Sequence, residues 1–144
     1  MGCNTSEKGL IRNNRILFVD DEENVTSIMN MMLEGLGYEV TSHADGAKAY
    51  EDFTQRPDGY SLVICDQVMP GMSGMDLLEK VRGVSPETPV ILCTGYTSDE
   101  LQEQVKKKSV SAVLTKPFAM QKLARVISTV LDNAYETQAY GCAS

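Results

Sequence analysis

With 144 residues, the chain can bury one sizeable core but is too short for two ordinary domains, so one domain with one site is expected. Its 20 Asp and Glu against 13 Lys and Arg leave a formal net charge of −7. That balance excludes tight, non-specific nucleic-acid binding, which needs a basic surface to neutralise phosphates, and suits a cation instead. No apolar run approaches the roughly 20 residues of a membrane span and no apolar signal segment opens the chain, so a soluble, cytoplasmic protein without a membrane span is expected.

Residues 1–14 are polar and unpatterned and read as a disordered leader. The opening MGCNTS fits the N-myristoylation pattern, with Cys3 placed for a second acyl chain, but six residues match such a pattern easily by chance and a plain leader is the simpler reading. From Arg15 onward, short β-branched runs alternate with segments of helical period. RILFV (15–19) predicts the first strand. Val25, Ile28, Met29, Met32, Leu33 and Leu36 recur at three and four, which predicts a helix that stops at Gly37 as C-cap. EVTSH (39–43) is a strand, 44–54 a helix, SLVIC (61–65) a strand and 74–82 a helix. PVILCT (89–94) follows as a strand, then a helix over 99–107 anchored only by Leu101 and Val105, then SAVLT (111–115) as the last strand. The final helix, 120–134, carries Leu123, Ala124, Ile127, Val130 and Leu131 on one stripe, and residues 135–144 read as a C-terminal tail. The domain is thus expected over 15–134, with no internal repeat or linker.

Strands alternating with helices imply right-handed crossovers and an α/β fold: a doubly wound, five-stranded parallel sheet with five helices on both faces. The near-continuous apolar third and fourth strands belong at its covered centre. Met29, Met32, Met75 and Met120 fall on apolar helical faces and are expected as core filler. Cys65 and Cys93 sit inside apolar strands, Cys3 and Cys142 near the ends, and no pair has metal-ligand spacing, which fits a reducing compartment.

In a doubly wound sheet, ligands gather beyond the carboxyl ends of the strands. Strand one ends in Asp20 and Asp21, strand three in Asp66, strand four in Thr94 and Gly95, and strand five in Lys116 and Pro117. Each has an ordinary explanation alone: acids at a helix start gain roughly 0.3 to 1 kcal/mol from the helix dipole, and a lysine can simply be solvated. Chance would have to put all of them on one edge. Three neighbouring acids repel and need a counter-charge, and Mg2+ fits, being a hard ion that takes one or two carboxylates alongside waters and phosphate oxygens. Asp66 is then placed as a nucleophile, Lys116 and the metal offset charge on an incoming phosphoryl group, and the Thr94 hydroxyl donates to one of its oxygens.

The ordered set of Asp20 and Asp21, Asp66 followed by MPGMSG, Thr94 in CTG and Lys116 in TKPF resembles the receiver domain of two-component response regulators, over about residues 15–131. The resemblance implies a flavodoxin-like strand order, 2-1-3-4-5, and phosphoryl transfer from a phosphohistidine of a histidine kinase or phosphotransfer protein onto Asp66. It further implies Mg2+ held by Asp20 or Asp21, Asp66 and the main-chain carbonyl of Val68, and a cis bond before Pro117. Pro70 and Gly74 would shape the loop after Asp66. PVILCTGYTSDEL and KPFAMQKLARVISTVLD are similar to receivers attached to hybrid sensor kinases, so phosphorelay is included in the expectation.

The chain departs from the family at Val113, where many receivers carry an aromatic switch residue. A β-branched side chain has few χ1 states and short reach. Any switch is therefore expected in Thr94 and the Gly95–Tyr96 loop, with a modest change around the fourth helix. No helix-turn-helix pattern follows the last helix, so no direct nucleic-acid partner is expected. An aspartyl phosphatase would need a second Asp at the position of Val68, and an FMN-binding domain would find its phosphate repelled by Asp20, Asp21, Glu22 and Glu23. The reading is a signalling phosphoacceptor and not a turnover enzyme. His43 reads as a strand-end residue and not a relay histidine; Lys106, Lys107 and Lys108 read as a solvated helix end favoured by the dipole.

Overall fold

Runs of four and five apolar residues build the middle of the molecule. A computed structural model describes the backbone of residues 13–143 and the side chains of residues 13–134. The elements run β1 (Arg15–Val19), α1 (Glu23–Gly35), β2 (Glu39–His43), α2 (Gly46–Gln55), β3 (Leu62–Asp66), α3 (Gly74–Val84), β4 (Val90–Thr94), α4 (Asp99–Lys107), β5 (Ala112–Thr115) and α5 (Met120–Ala143). All strand pairs are parallel and the order is β2-β1-β3-β4-β5, with Phe18 level with Ile64, Cys65 with Leu92, and Asp66 with Cys93.

Successive strand side chains point to opposite faces, so the sheet has two cores. Leu17, Val19, Val63, Cys65 and Leu92 pack with Ala49 and Phe53 of α2 and with Leu77, Leu78 and Val81 of α3. Ile16, Phe18, Leu62, Ile64, Ile91, Cys93 and Leu114 pack with Met29 and Leu33 of α1 and with Leu123, Ile127, Val130 and Leu131 of α5. β3 and β4 are buried along their whole length, as strands covered on both faces must be. Cys65 and Cys93 are free thiols in these cores.

Local chemistry sets the boundaries. Gly37, at φ 98°, ends α1: its N–H donates to the Glu34 carbonyl (3.0 Å) and the Tyr38 N–H to that of Leu33 (3.1 Å), a Schellman closure that a side chain with a Cβ would strain. The second helix starts at Gly46, later than residue 44, because the Asp45 carboxylate accepts from the Ala47 N–H (2.8 Å) and makes Asp45 the cap. α3 runs to Val84, past Arg82. The last three strands each begin one residue later than the apolar runs suggested, and β3 includes Asp66.

Four expectations need correction. Ile28 is 58% exposed, because about 100° per residue turns it away from Met29, Leu33 and the sheet. Met120 is 40% exposed at the first turn of α5, ahead of the stripe that starts at Leu123, and Met32 is only half-buried. α5 continues through Ala143 where a tail was expected from residue 135; no proline or early glycine interrupts it. Asn13 and Asn14 are not part of a loose leader: the Asn14 amide donates to the Gly37 carbonyl (3.1 Å) and the Asn13 amide to that of Asp58 (3.2 Å). The rest of the leader, Cys3 included, and the Cys142 side chain lie outside the described residues.

Candidate functional site

Each group of interest is delivered by a strand end. Asp20 follows β1 and is 1% exposed. Its N–H extends the ladder to the His43 carbonyl (3.1 Å), and its carboxylate Oδ1 accepts from the Glu22 N–H (2.9 Å), which fixes the side chain at the entrance to α1. Asp66 closes β3 at 6% exposed, and Asp21 stands at the open side. One carboxylate oxygen from each of Asp20, Asp21 and Asp66 lies within 4.8 Å of the others.

Lys116 reaches across this cluster. Its Nζ lies 3.1 Å from Asp66 Oδ1 and 3.3 Å from Asp20 Oδ2, so one ammonium bridges two buried carboxylates. Its backbone is placed by the β4–β5 ladder, where the Lys116 N–H donates to the Thr94 carbonyl (2.7 Å), and the Lys116–Pro117 bond is cis. Burial is the largest influence on Asp66 and pushes its pKa up. Lys116 opposes that push, while the charges of Asp20 and Asp21 add to it, and the net shift is upward. For Lys116 burial pulls downward, but the hydrogen bond to Asp66 and the charges of Asp20 and Asp66 outweigh it and hold the ammonium protonated.

The three carboxylates fit a hard divalent ion in donor type and spacing: oxygens only, close enough to share one cation, with Asp21 facing solvent so that the ion keeps waters. The Val68 carbonyl belongs to the loop directly after Asp66, and its side chain is 75% exposed. That loop is short because it folds back on its start. A Cβ on Gly74 would stand 2.6 Å from the Asp66 carbonyl oxygen and 2.9 Å from Leu92 Cδ2, so only glycine lets α3 begin there. Ser73 and Asp76 form a capping box over the same helix start.

Thr94 is 3% exposed, but its hydroxyl is engaged. It donates to the Tyr96 carbonyl (2.6 Å) and accepts from the Tyr96 N–H (3.2 Å), so it holds the β4–α4 loop. Val113 is half-buried and packs into the α2–α3 side of the sheet. His43 is not drawn into the cluster: its Nε2 pairs with Asp52 (2.8 Å), which also accepts from the Tyr60 hydroxyl (3.0 Å) and from Arg56 Nε (3.2 Å). Burial alone would raise the Asp52 pKa, but the hydrogen bonds from His43, Tyr60 and Arg56 carry it below the usual carboxylate value. Lys106 and Lys107 are exposed, and Lys108 pairs with Glu79 at 3.5 Å on the surface, an interaction worth under about 1 kcal/mol.

One residue escaped the sequence reading. Gln67, between Asp66 and Val68, accepts at Oε1 from the Met75 N–H (2.9 Å). A lone glutamine in a loop gives no periodic or charge signal, and only the folded-back loop shows what its amide meets.

Known proteins share this fold. The family described as response regulator receiver domain matches residues 16–128. The receiver protein CpdR of Brucella abortus is 32% identical over 117 residues, covering 81% of this chain and 96% of its own. The transcriptional regulatory protein YkoG of Bacillus subtilis is 34% identical over 129 residues; that match takes in 88% of this chain and 55% of YkoG, so the chain spans about half of that relative's length. Among solved structures, a receiver domain protein from Clostridium thermocellum superposes with a TM-score of 0.79 at 28% identity, over 84% of this chain and 96% of that one. The Vibrio cholerae chemotaxis protein CheY4 gives 0.75 at 29% identity, over 81% and 97%. Sequence family and strand order agree with the acid-and-lysine edge in one assignment: the chain belongs to the response regulator receiver domain family.

Proposed function

We propose that Asp66 accepts a phosphoryl group from the phosphohistidine of a histidine kinase or phosphotransfer protein, in a reaction that requires Mg2+, and that the chain thereby passes on a signal as a response regulator or phosphorelay intermediate. The observation that carries this reading is the Lys116 ammonium shared between Asp20 and Asp66 with Asp21 alongside. A structural ion pair needs one acid; here one ammonium is shared by two buried acids, with a third beside them, at the reachable end of a buried strand.

In the proposed step an Asp66 carboxylate oxygen attacks phosphorus, the phosphorus–nitrogen bond breaks, and the imidazole leaves with its electron pair, giving an acyl phosphate. Asp20, Asp21, Asp66 and the Val68 carbonyl would hold the ion, which supplies positive charge to the phosphoryl oxygens as they move between nitrogen and oxygen. Lys116 Nζ exchanges its contact with Asp66 for one with a phosphoryl oxygen while keeping Asp20. The Thr94 hydroxyl gives up the Tyr96 carbonyl and donates to the phosphoryl group. Sheet burial keeps Asp66 rigid, and no step needs a general base because a carboxylate is already the nucleophile.

The receiver unit is taken as residues 15–134, and the buried thiols of Cys65 and Cys93 suit a cytoplasmic setting. Incubation with a histidine-phosphorylated phosphotransfer protein and Mg2+ tests the reading. Label should move to the wild-type chain and be absent from Asp66→Asn; equal labelling of both proteins would refute the assignment.

A further inference from the structure

We propose that Gln67 is a positioning residue for the ion-binding loop: its side-chain amide fixes the residue from which the Val68 carbonyl is presented and thereby sets Mg2+ affinity without touching the ion. This rests on the Mg2+-dependent reading above and adds to it a residue that never contacts metal or phosphate.

Gln67 lies between the phosphoacceptor and the carbonyl assigned to the metal, and it is held at three points. Its N–H donates to the Cys93 carbonyl (2.9 Å), which prolongs the β3–β4 ladder one residue past Asp66. Its carbonyl accepts from the Gly74 N–H (3.1 Å), and its side-chain Oε1 accepts from the Met75 N–H (2.9 Å). The first two bonds are made by the backbone and survive a change of side chain; the third needs a side-chain acceptor of this length. Together they close the seven-residue loop 67–73 onto its own first residue. With the missing Cβ of Gly74 only 2.6 Å from the Asp66 carbonyl oxygen, the start of α3 bears on the same stretch from the other side. The peptide joining Gln67 to Val68 is thereby pinned, one unit before the Val68–Met69 peptide that carries the carbonyl assigned to the ion.

The bond satisfies a first-turn donor of α3, but it does so from across the loop, and the helix has a cap of its own. Ser73 already caps α3, accepting from the Asp76 N–H (3.1 Å), while Asp76 returns a bond to the Ser73 N–H (3.1 Å). The Gln67 bond joins residues eight apart across the loop and not within the first turn. A ligating carbonyl held by such an outer bond is presented at a fixed angle, and loss of outer-shell support weakens a metal site without removing a ligand.

The experiment titrates MgCl2 into wild type, Gln67→Met, Gln67→Glu and Ser73→Ala, reads the dissociation constant from the amide resonances of Asp21 and Val68, and records melting of each protein in chelator. Gln67→Met keeps length and loses the acceptor, so Mg2+ binding should weaken about tenfold, the lower end of what a lost outer-shell bond costs. Gln67→Glu keeps an acceptor facing the helix N-terminus and should bind close to wild type. Ser73→Ala should melt lower yet keep wild-type affinity, which separates loop positioning from helix capping. Wild-type affinity in Gln67→Met, or an equal loss in Ser73→Ala, would overturn the proposal. If Gln67→Met does not fold, Gln67→Asn, whose amide is too short to reach Met75, takes its place under the same criteria. Absence of saturable Mg2+ binding in wild type would overturn the proposed function itself, a result distinct from either of these.

Discussion

Asp66 is the residue on which everything else bears. An acid at the end of an apolar strand is costly unless paired, and here the pairing is lopsided: one lysine serves two buried carboxylates. Lys116→Met should therefore melt lower than wild type in chelator, by about 1–3 kcal/mol for a buried charged acceptor left without its partner, and Mg2+ should stabilise that variant more than it stabilises wild type. Calorimetric melts with and without the ion check this; equal Mg2+ gains would show that the lysine and the ion do not answer the same charge. The pH dependence has a definite sign. Asp66 holds its proton more tightly when folded than when unfolded, so it lowers metal-free stability as pH rises through the window between those two values. The proton also competes with the ion, so Mg2+-induced stabilisation should fade as pH drops through the raised Asp66 value, a trend measurable by melting in a pH series. At this scale the convergence of Asp20, Asp21, Asp66, Thr94 and Lys116 on one edge was legible because charged or hydroxyl groups at four strand ends have few shared reasons to be there. Gln67 was not, since its partner is a backbone N–H that no residue pattern encodes.

Among the elements, α4 is the least anchored. It has no buried residue and leans on half-buried Leu101 and Val105. Its entry loop is tied to Thr94, the side chain expected to turn toward a phosphoryl group, while Val113 lacks the reach for a ring-like swing. A ligand shifts such an equilibrium only through a difference in interaction between the states, and Thr94 with Lys116 supplies a small one. Beryllofluoride, a phosphoryl mimic, should thus shift the amide resonances of Thr94, Gly95 and Tyr96 strongly and those of α4 modestly. Large shifts centred on Val113 and spreading through α5 would show a stronger switch. The strand cores and α1 were legible from period alone, down to the glycine that closes α1. Ile28 shows the limit: spacing of three and four admits residues on both flanks of a stripe, and only packing against a sheet decides which flank is covered. The end of α5 was misplaced for a related reason, because apolar period marks where a helix is buried and not where its backbone hydrogen bonds stop.

For the molecule as a whole, the parallel sheet gathers five strand ends on one edge, and that single fact turns scattered residues into a site. The order β2-β1-β3-β4-β5 puts β1 and β3 side by side, so Asp20 and Asp66 are neighbours although 46 positions apart in the chain. Such a site exists only when folded, so Mg2+ at 100-fold over its dissociation constant should stabilise the fold by roughly 2.7 kcal/mol, and Asp21→Ala should lose most of that gain; a melting temperature indifferent to the ion would count against the acid cluster. The most direct test of the central claim is intact-mass measurement after exposure to a small acyl phosphate, with Mg2+ or with chelator. One added phosphoryl group on wild type with Mg2+, none with chelator and none on Asp66→Asn is the result expected; a phosphoryl adduct that forms without the ion, or on the Asp66→Asn chain, would contradict it.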